Sequence, residues 1–332
     1  MGGYRKFFKK KIKKLDERSL LMKRMHASLC LIVGLIIIIL APMPTFAETD
    51  LRVAIQEDDL VILQNLIAAG TDVNKRDGSG TTPLMFAAKH STNPDVIRIL
   101  SKAGADINTR NVIGQTALMI AAESNDNPDV ISTLTSVGAD VNAKNDNGWT
   151  PLIYATWFNS NLEVIKALIN AGADVNVKDR NEANALMFAA QFSENPETIT
   201  LFIEEGIDVN TIDNVGYTPL MYAIMSHGDN IDTIETLLKS GADVNAIGKF
   251  GTTPLILAVT FRETDVLEIL LESGVDVNTK DSFGLTPLLF AAAKSESPEV
   301  IKVLLNAGAN GKPPLITQGK IRPLEIVMRI GC

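Results

Sequence analysis

Side chains capable of catalytic or metal chemistry are few and scattered in this 332-residue sequence. Beyond residue 47 there are two histidines, His90 and His227, and a single cysteine, Cys332, with no nucleophile-elbow motif and no ligands at metal-site spacing. Aspartates such as Asp106 and Asp140 do recur, but at turn positions once per repeat, so turn formation explains them. The sequence therefore predicts no enzyme, no bound metal and no cofactor.

Any functional side chain would be positioned by structural elements that recur along the sequence. A Gly-x-Asp-x-Asn segment, or a close variant, begins at glycines spaced 33 to 35 residues apart, at positions 70, 104, 138, 172, 206, 241, 274 and 308. A second series in the same phase, Gly-x-Thr-Pro-Leu or a close variant, begins at Gly80, Gly114, Gly148, Gly216, Gly251 and Gly284. Two series in phase define a repeating structural unit.

Each unit predicts two helices joined by a short loop. In the first unit, Thr82-Pro83 supplies an N-cap hydroxyl and a proline at the first helical position, where its missing N–H costs nothing. Asn93-Pro94-Asp95 begins a second helix in the same way, and Gly104 suits the left-handed backbone that ends it. The Asp-x-Asn stretch after each such glycine leads into a turn of the kind that begins at Asp77. Together they predict a β-hairpin finger between units.

These units resemble ankyrin repeats in the Gly-Ala-Asp-Val-Asn hairpin, the Gly-x-Thr-Pro-Leu helix start and the repeat period. The resemblance extends over essentially all of residues 48–332. It implies an all-α fold, an ankyrin-repeat α-solenoid of helix-turn-helix units with β-hairpin fingers.

We predict the following division of the chain. A basic leader and signal peptide, or an uncleaved anchor helix, occupies residues 1–47, and a capping partial repeat occupies 48–76. Seven ankyrin repeats, numbered one to seven, follow at 77–110, 111–144, 145–178, 179–212, 213–247, 248–280 and 281–314. A closing partial repeat at 315–332 caps the C-terminal end.

Two departures from the family pattern carry structural expectations. The histidine usual after Thr-Pro-Leu is replaced by apolar residues, so packing must substitute for a Thr–His hydrogen bond. They are Met85, Met119, Ile153, Met187, Met221, Ile256 and Leu289. In repeat four, Glu182 stands where glycine belongs and Asn184-Ala185 replaces Thr-Pro. A side chain in a left-handed turn costs on the order of 1 kcal/mol, so repeat four is predicted to be the weakest.

The resemblance also implies where a partner binds. In ankyrin arrays the concave face typically carries the two residues before the turn glycine, the residue after it, and two residues at the end of the first helix. Eight of the 14 aromatic residues beyond residue 47 occupy such positions: Trp149, Trp157, Phe158, Phe192, Tyr217, Phe250, Phe261 and Phe283. We predict a partner-binding groove across repeats three to seven, with Trp149 and Trp157 as its central anchors.

A packing role is the alternative for three of these rings. Phe158, Phe192 and Phe261 share one repeat position, as residues packed beneath the loop between helices would. The other five are less regular, and the cores of interfaces favour Trp, Tyr and Phe. Five further aromatics share a position inside the first helix and are predicted to lie in the core: Phe86, Tyr154, Phe188, Tyr222 and Phe290.

The first 47 residues have the parts of a secretory signal peptide. An apolar run at 27–41 follows a basic stretch and precedes Pro42, Pro44 and Thr45-Phe46-Ala47, with cleavage predicted after Ala47. An uncleaved anchor is the alternative, although a spanning helix needs roughly 20 apolar residues. Met22 is an alternative translation start. Both readings export the body across the cytoplasmic membrane, to a periplasm or to the outside.

Charge separates this leader from the body. Residues 1–47 hold 10 basic and 2 acidic side chains, whereas the remainder holds 21 and 37. Phosphate backbones repel such a body, so nucleic acid is excluded as a partner. We predict a monomeric scaffold that binds a protein or peptide and contacts a membrane only through an uncleaved leader. The alternatives are a secreted effector acting on another cell's proteins and a membrane-tethered structural spacer.

Overall fold

The computed structural model describes residues 46–159, 161–193, 195–226, 230–261, 264–294 and 298–310. The leader up to residue 45, the predicted C-terminal cap at 315–332 and His227 lie outside these ranges. Within them, no helix is long and apolar enough to cross a membrane.

Sixteen α-helices form the described part of the chain, and they alternate between two layers. Odd-numbered helices pack on one another in the first layer, and even-numbered helices form the second. In chain order they are α1 (Phe46–Gln56), α2 (Leu60–Ala68), α3 (Pro83–His90), α4 (Pro94–Lys102), α5 (Ala117–Ser124), α6 (Pro128–Ser136), α7 (Pro151–Phe158), α8 (Leu162–Asn170), α9 (Ala185–Phe192), α10 (Glu197–Glu204), α11 (Pro219–Met225), α12 (Ile231–Lys239), α13 (Pro254–Phe261), α14 (Thr264–Glu272), α15 (Pro287–Lys294) and α16 (Pro298–Asn306).

Side chains cap these helices where the sequence predicts. Thr82 Oγ1 accepts a hydrogen bond from the backbone N–H of Met85 at 3.3 Å, at the start of α3. Asn93 Oδ1 accepts one from the N–H of Asp95 at 3.0 Å, at the start of α4. Each bond satisfies a donor that lacks a partner within the helix. The predicted pattern of helix starts is therefore confirmed at both helices of the first repeat.

The segments between units are hydrogen-bonded turns. Asp77 Oδ1 accepts hydrogen bonds from the N–H groups of Ser79 and Thr81, both at 2.9 Å, and Gly80 completes the turn with a φ of 76°. A side chain at that φ would be strained, which explains the glycine. No β-strand is present in the described ranges, so the β-hairpin character expected of the fingers stays a prediction.

Six of the seven residues that stand in place of the family's histidine lie in the core, and the seventh, Leu289, is partly buried. Met119, Met187, Met221 and Ile256 are completely buried, and Met85 and Ile153 are 1% exposed. Full burial of an aliphatic side chain stabilises a fold by roughly 1.5–3 kcal/mol. Packing therefore replaces the missing Thr–His hydrogen bond, as predicted.

Asparagine side chains join successive fingers in a ladder. Asn108 Nδ2 donates to the carbonyl of Gly138 at 2.9 Å, while its Oδ1 accepts from the N–H of Asp140 at 2.8 Å. Asn74 and Asn142 bond in the same way to the finger that follows each of them. One side chain thus satisfies a donor and an acceptor of the next unit, which ties neighbouring repeats together.

The ladder has a gap after repeat three. Among the described residues, the Asn176 side chain makes neither of the two bonds, to Gly206 and Asp208, that its position would allow. The second-layer helices on either side, α8 and α10, also pack less closely than other consecutive pairs of that layer. These observations support the prediction of a weak junction before repeat four, whereas Asn210 makes both bonds across the junction that follows it.

The ladder gap makes a matched pair of substitutions informative. Asn108→Ala removes two hydrogen bonds between units and should lower the free energy of unfolding by about 1–2 kcal/mol. Asn176→Ala removes neither bond and should change it by less than about 0.5 kcal/mol. Urea unfolding followed by circular dichroism compares the two. Equal losses would mean that Asn176 forms its bonds in solution.

Repeat four tolerates its departures better than expected. Glu182 has a φ of 62°, a conformation that costs a side chain on the order of 1 kcal/mol. Asn184, however, caps α9 by accepting a hydrogen bond from the N–H of Met187 at 3.2 Å. Because asparagine caps a helix at least as well as threonine, the expectation that Asn184 weakens this repeat is wrong.

Repeat six carries a departure that the sequence comparison missed. Gly248 occupies the position of Asp77, so repeat six lacks the carboxylate that accepts the N–H two residues on. Phe250, at that second position, has a φ of 60° and lies in a 3-10 turn at Lys249–Gly251. The missing aspartate was the sequence signal for this strained finger.

Candidate functional site

Three rings lie side by side at the ends of α7 and α9. We name Trp157, Phe158 and Phe192 the aromatic shelf. The Trp157 ring lies within 5° of parallel to Phe158, with centroids 5.2 Å apart, and within 8° of parallel to Phe192, at 4.9 Å. Phe158 is 50% exposed and Phe192 is 43% exposed. Offset parallel stacking is favourable at these distances, so the rings hold one another while leaving apolar surface open.

The repeat itself places the two phenylalanines next to each other. Phe192 follows Phe158 by 34 residues, so both end the first helix of their unit, and stacked helices lie about 8–10 Å apart. Trp157 fills that distance because it stacks on both phenyl rings. The shelf is therefore continuous across the junction of repeats three and four.

Trp149 anchors this shelf to the body of the protein. Its centroid lies 4.6 Å from that of Trp157, and its indole Nε1 donates to Asp179 Oδ2 in the next repeat at 3.2 Å. Both tryptophans are partly buried against a core cluster that includes Ile153 and Phe188. Trp149 therefore contributes to the packing between repeats and is less open to a partner than the sequence suggested.

A second, smaller pair of rings lies on the fingers of repeats six and seven. The centroids of Phe250 and Phe283 are 6.3 Å apart, and the Lys249 ammonium lies 5.2 Å from the Phe250 centroid. Phe250 is 41% exposed and Phe283 is half-buried. This pair has apolar surface of its own, but it already contacts a cation.

The two remaining candidates belong to neither group of stacked rings described above. Tyr217 is half-buried, and its ring lies so close over Gly248 that a Cβ there would be 2.7 Å from Tyr217 Cδ1. Burial raises the pKa of the Tyr217 hydroxyl. Phe261, the last residue of α13, is 37% exposed. Of the eight predicted site residues, three thus form the shelf, Trp149 anchors it, and two form the second pair. The candidate binding site is therefore smaller than the sequence predicted and lies in repeats three and four.

The five aromatics predicted to be core divide into two groups. Tyr154, Phe188 and Phe290 are at most 6% exposed, as expected. Phe86 and Tyr222 are only half-buried, and each has a polar partner: the Arg52 guanidinium lies 5.1 Å over the Phe86 ring, and Tyr222 donates to Asp213 Oδ2 at 2.9 Å. The core assignment is therefore wrong for those two.

One carboxyl group occupies a repeat position that the shelf also uses. Glu123 precedes Trp157 by 34 residues and so holds its position in repeat two. Burial raises the pKa of Glu123, although Gln115 Nε2 donates to its carboxylate at 2.7 Å and opposes that rise. The sequence alone did not single out this residue, because its repeat position becomes informative only once Trp157 is known to form part of the shelf.

No constellation for metal binding is present in the described ranges, where no three His, Cys, Asp or Glu side chains gather. His90 lies at the end of α3 with its ring 4.4 Å from that of Phe86. Burial lowers the pKa of His90, and the positive charges of Lys89 and Arg52 lower it further. What these surfaces offer chemically is stacking and apolar contact.

Comparison with known proteins agrees with this architecture. The family described as ankyrin repeats (3 copies) matches overlapping segments at residues 51–145, 114–179, 152–248 and 228–313. None of the curated protein sequences compared with this chain matches it. The family match covers well over half of the chain, and the paired helices and turns have the same period. The chain therefore belongs to the ankyrin-repeat family.

Proposed function

We propose that this protein is an exported scaffold that binds a protein or peptide partner at the aromatic shelf, without catalysis. Ankyrin repeats generally act as protein-interaction scaffolds, which supports the binding role. The observation that carries the choice of site is the exposure of Phe158 and Phe192 beside the ring of Trp157. Partner binding at Trp149, Tyr217, Phe250, Phe261 and Phe283 stays a prediction.

Physical reasoning favours the shelf over the other surfaces. Aromatic side chains bury a large area on binding and lose few rotamers, and they dominate the energetics of many interfaces. The stacked rings are already held in place, so a partner would not have to order them. No packing within the repeat requires phenylalanine there, since serine occupies the same position at Ser124 and Ser226.

A phage-displayed library of random peptides tests this proposal. We expect selection on the immobilised protein to enrich peptides that the parent captures and that Phe158→Ser/Phe192→Ser does not. The variant keeps the repeat scaffold, so it separates binding at the shelf from adhesion elsewhere. Failure to enrich any peptide, or equal capture by parent and variant, would contradict a peptide-binding role for this surface.

The export proposal predicts a mature chain that begins at Glu48. Cleavage after Ala47 would remove only the first two residues of α1, and the buried cap residues Leu51 and Ile55 would remain. Mass spectrometry of the intact protein recovered from the producing cell measures the terminus. An unprocessed chain in the membrane fraction would instead favour the tethered spacer, and recovery from the medium would favour the secreted effector.

A further inference from the structure

We infer that the aromatic shelf binds arginine side chains of a basic peptide. This inference rests on the proposed function, because it names the chemistry of the partner at that same site. Three observations carry it: the charge of the surrounding repeats, the use of cations over aromatic rings elsewhere in the chain, and the open rings of the shelf.

The repeats around the shelf are strongly acidic. Repeats two to five, residues 111–247, hold 19 aspartate and glutamate side chains against 5 lysine and arginine side chains. An excess of one sign attracts a partner of the other sign and accelerates its association. A basic segment is therefore the complementary partner, whereas a neutral apolar segment would gain nothing from this charge.

Among the residues that the structure describes, cations lie over aromatic rings at two other points. Arg52 Cζ lies 5.1 Å from the centroid of Phe86, and Lys249 Nζ lies 5.2 Å from that of Phe250. In the described ranges no such cation lies over the rings of the aromatic shelf. The shelf therefore offers aromatic rings of the same kind without a cation from the described part of the chain. The faces of these rings can attract a cation of a partner.

Arginine fits these rings better than lysine does. A planar guanidinium stacks flat on an aromatic ring and is more weakly hydrated than an ammonium, so less solvation is lost on contact. Its five N–H groups can also reach a carboxylate while the plane stays on the ring. Glu123, which holds in repeat two the position that Trp157 holds in repeat three, is the carboxylate that we expect a bound guanidinium to reach.

Titration with homopolymeric peptides distinguishes this chemistry from charge alone. Hexa-arginine, hexalysine and hexaproline would be added to the purified protein at constant ionic strength, with calorimetry and tryptophan emission as readouts. Both tryptophans of the chain lie in or beside the shelf, so emission reports on this site. We expect hexa-arginine to bind at least tenfold more tightly than hexalysine and to change the emission.

The variant Phe158→Ser/Phe192→Ser provides the control, because it keeps every charge. In that variant the preference for hexa-arginine should fall to less than twofold. Equal binding of hexa-arginine and hexalysine by the parent, a preference that survives in the variant, or no binding of hexa-arginine would overturn the inference. If library peptides still bind at the shelf, only the arginine chemistry is wrong; if none does, the proposed function fails as well.

Discussion

Trp149→Ala should lower the free energy of unfolding by about 3 kcal/mol, the largest stability loss expected for any single ring of the site. The substitution removes ring contacts with Tyr154, Trp157 and Phe188 and a hydrogen bond to Asp179 in the next repeat. Asp179 is 6% exposed, so its carboxylate would lose a partner that water replaces poorly.

Trp149→Phe is the matched control, since it keeps an aromatic ring but removes the indole donor and part of the packed ring. It should cost about 1–2 kcal/mol, less than Trp149→Ala, from one lost hydrogen bond and a smaller loss of packing. Urea unfolding followed by circular dichroism measures both variants without depending on tryptophan emission. An unchanged unfolding midpoint for Trp149→Ala would show that the indole is free on the surface, as an anchor available to a partner would be.

Phe158→Ser/Phe192→Ser should weaken binding of shelf-selected peptides at least thirtyfold while leaving the protein folded. Truncating a central interface aromatic commonly costs about 2 kcal/mol or more, and about 1.4 kcal/mol is a tenfold change in affinity. The cost to stability should stay below about 2 kcal/mol in total, because both rings are roughly half exposed. Fluorescence anisotropy of a labelled selected peptide gives the affinity, and thermal unfolding gives the stability.

Phe250→Asn controls for the second pair of exposed rings. Asparagine stands at this finger position in Asn147 and Asn181 and tolerates the left-handed backbone of Phe250. Its effect on peptide affinity should be less than threefold. If Phe250→Asn abolishes binding and the double serine variant does not, the partner binds at repeats six and seven instead of at the shelf.

The layered helices could be predicted because their signals are local. Thr82 and Asn93 cap the helices that follow them, and a glycine ends every finger turn except that of repeat four, where Glu182 stands. The boundaries of each unit can therefore be recognised from a few neighbouring residues. Because the repeat period is regular, a correct assignment of the helices in one unit then applies to all the units. Tertiary packing adds little to such assignments, because each unit contacts chiefly its neighbours.

The surroundings of the aromatic rings could not be predicted in this way, because they depend on pairs of units. Ala183 holds the position of Trp149 in repeat four, and this small residue belongs to the cluster on which the indole packs. Gly248 likewise leaves space for the ring of Tyr217. An alignment of the repeats compares residues at equivalent positions only. It therefore does not show that a large ring in one unit is accommodated by a small residue in the next.

The asparagine ladder bears on how such an array changes length during evolution. Its bonds join residues 30 and 32 positions apart at Asn108 and again at Asn142. Duplication or loss of a whole 34-residue unit by unequal recombination therefore restores each bond at the new junction with the same separation. At Asn210 the same two bonds join residues 31 and 33 positions apart, so a unit of 35 residues also restores them. The junction at Asn176, which lacks both bonds, is the place where a crossover of imperfect register would be tolerated best.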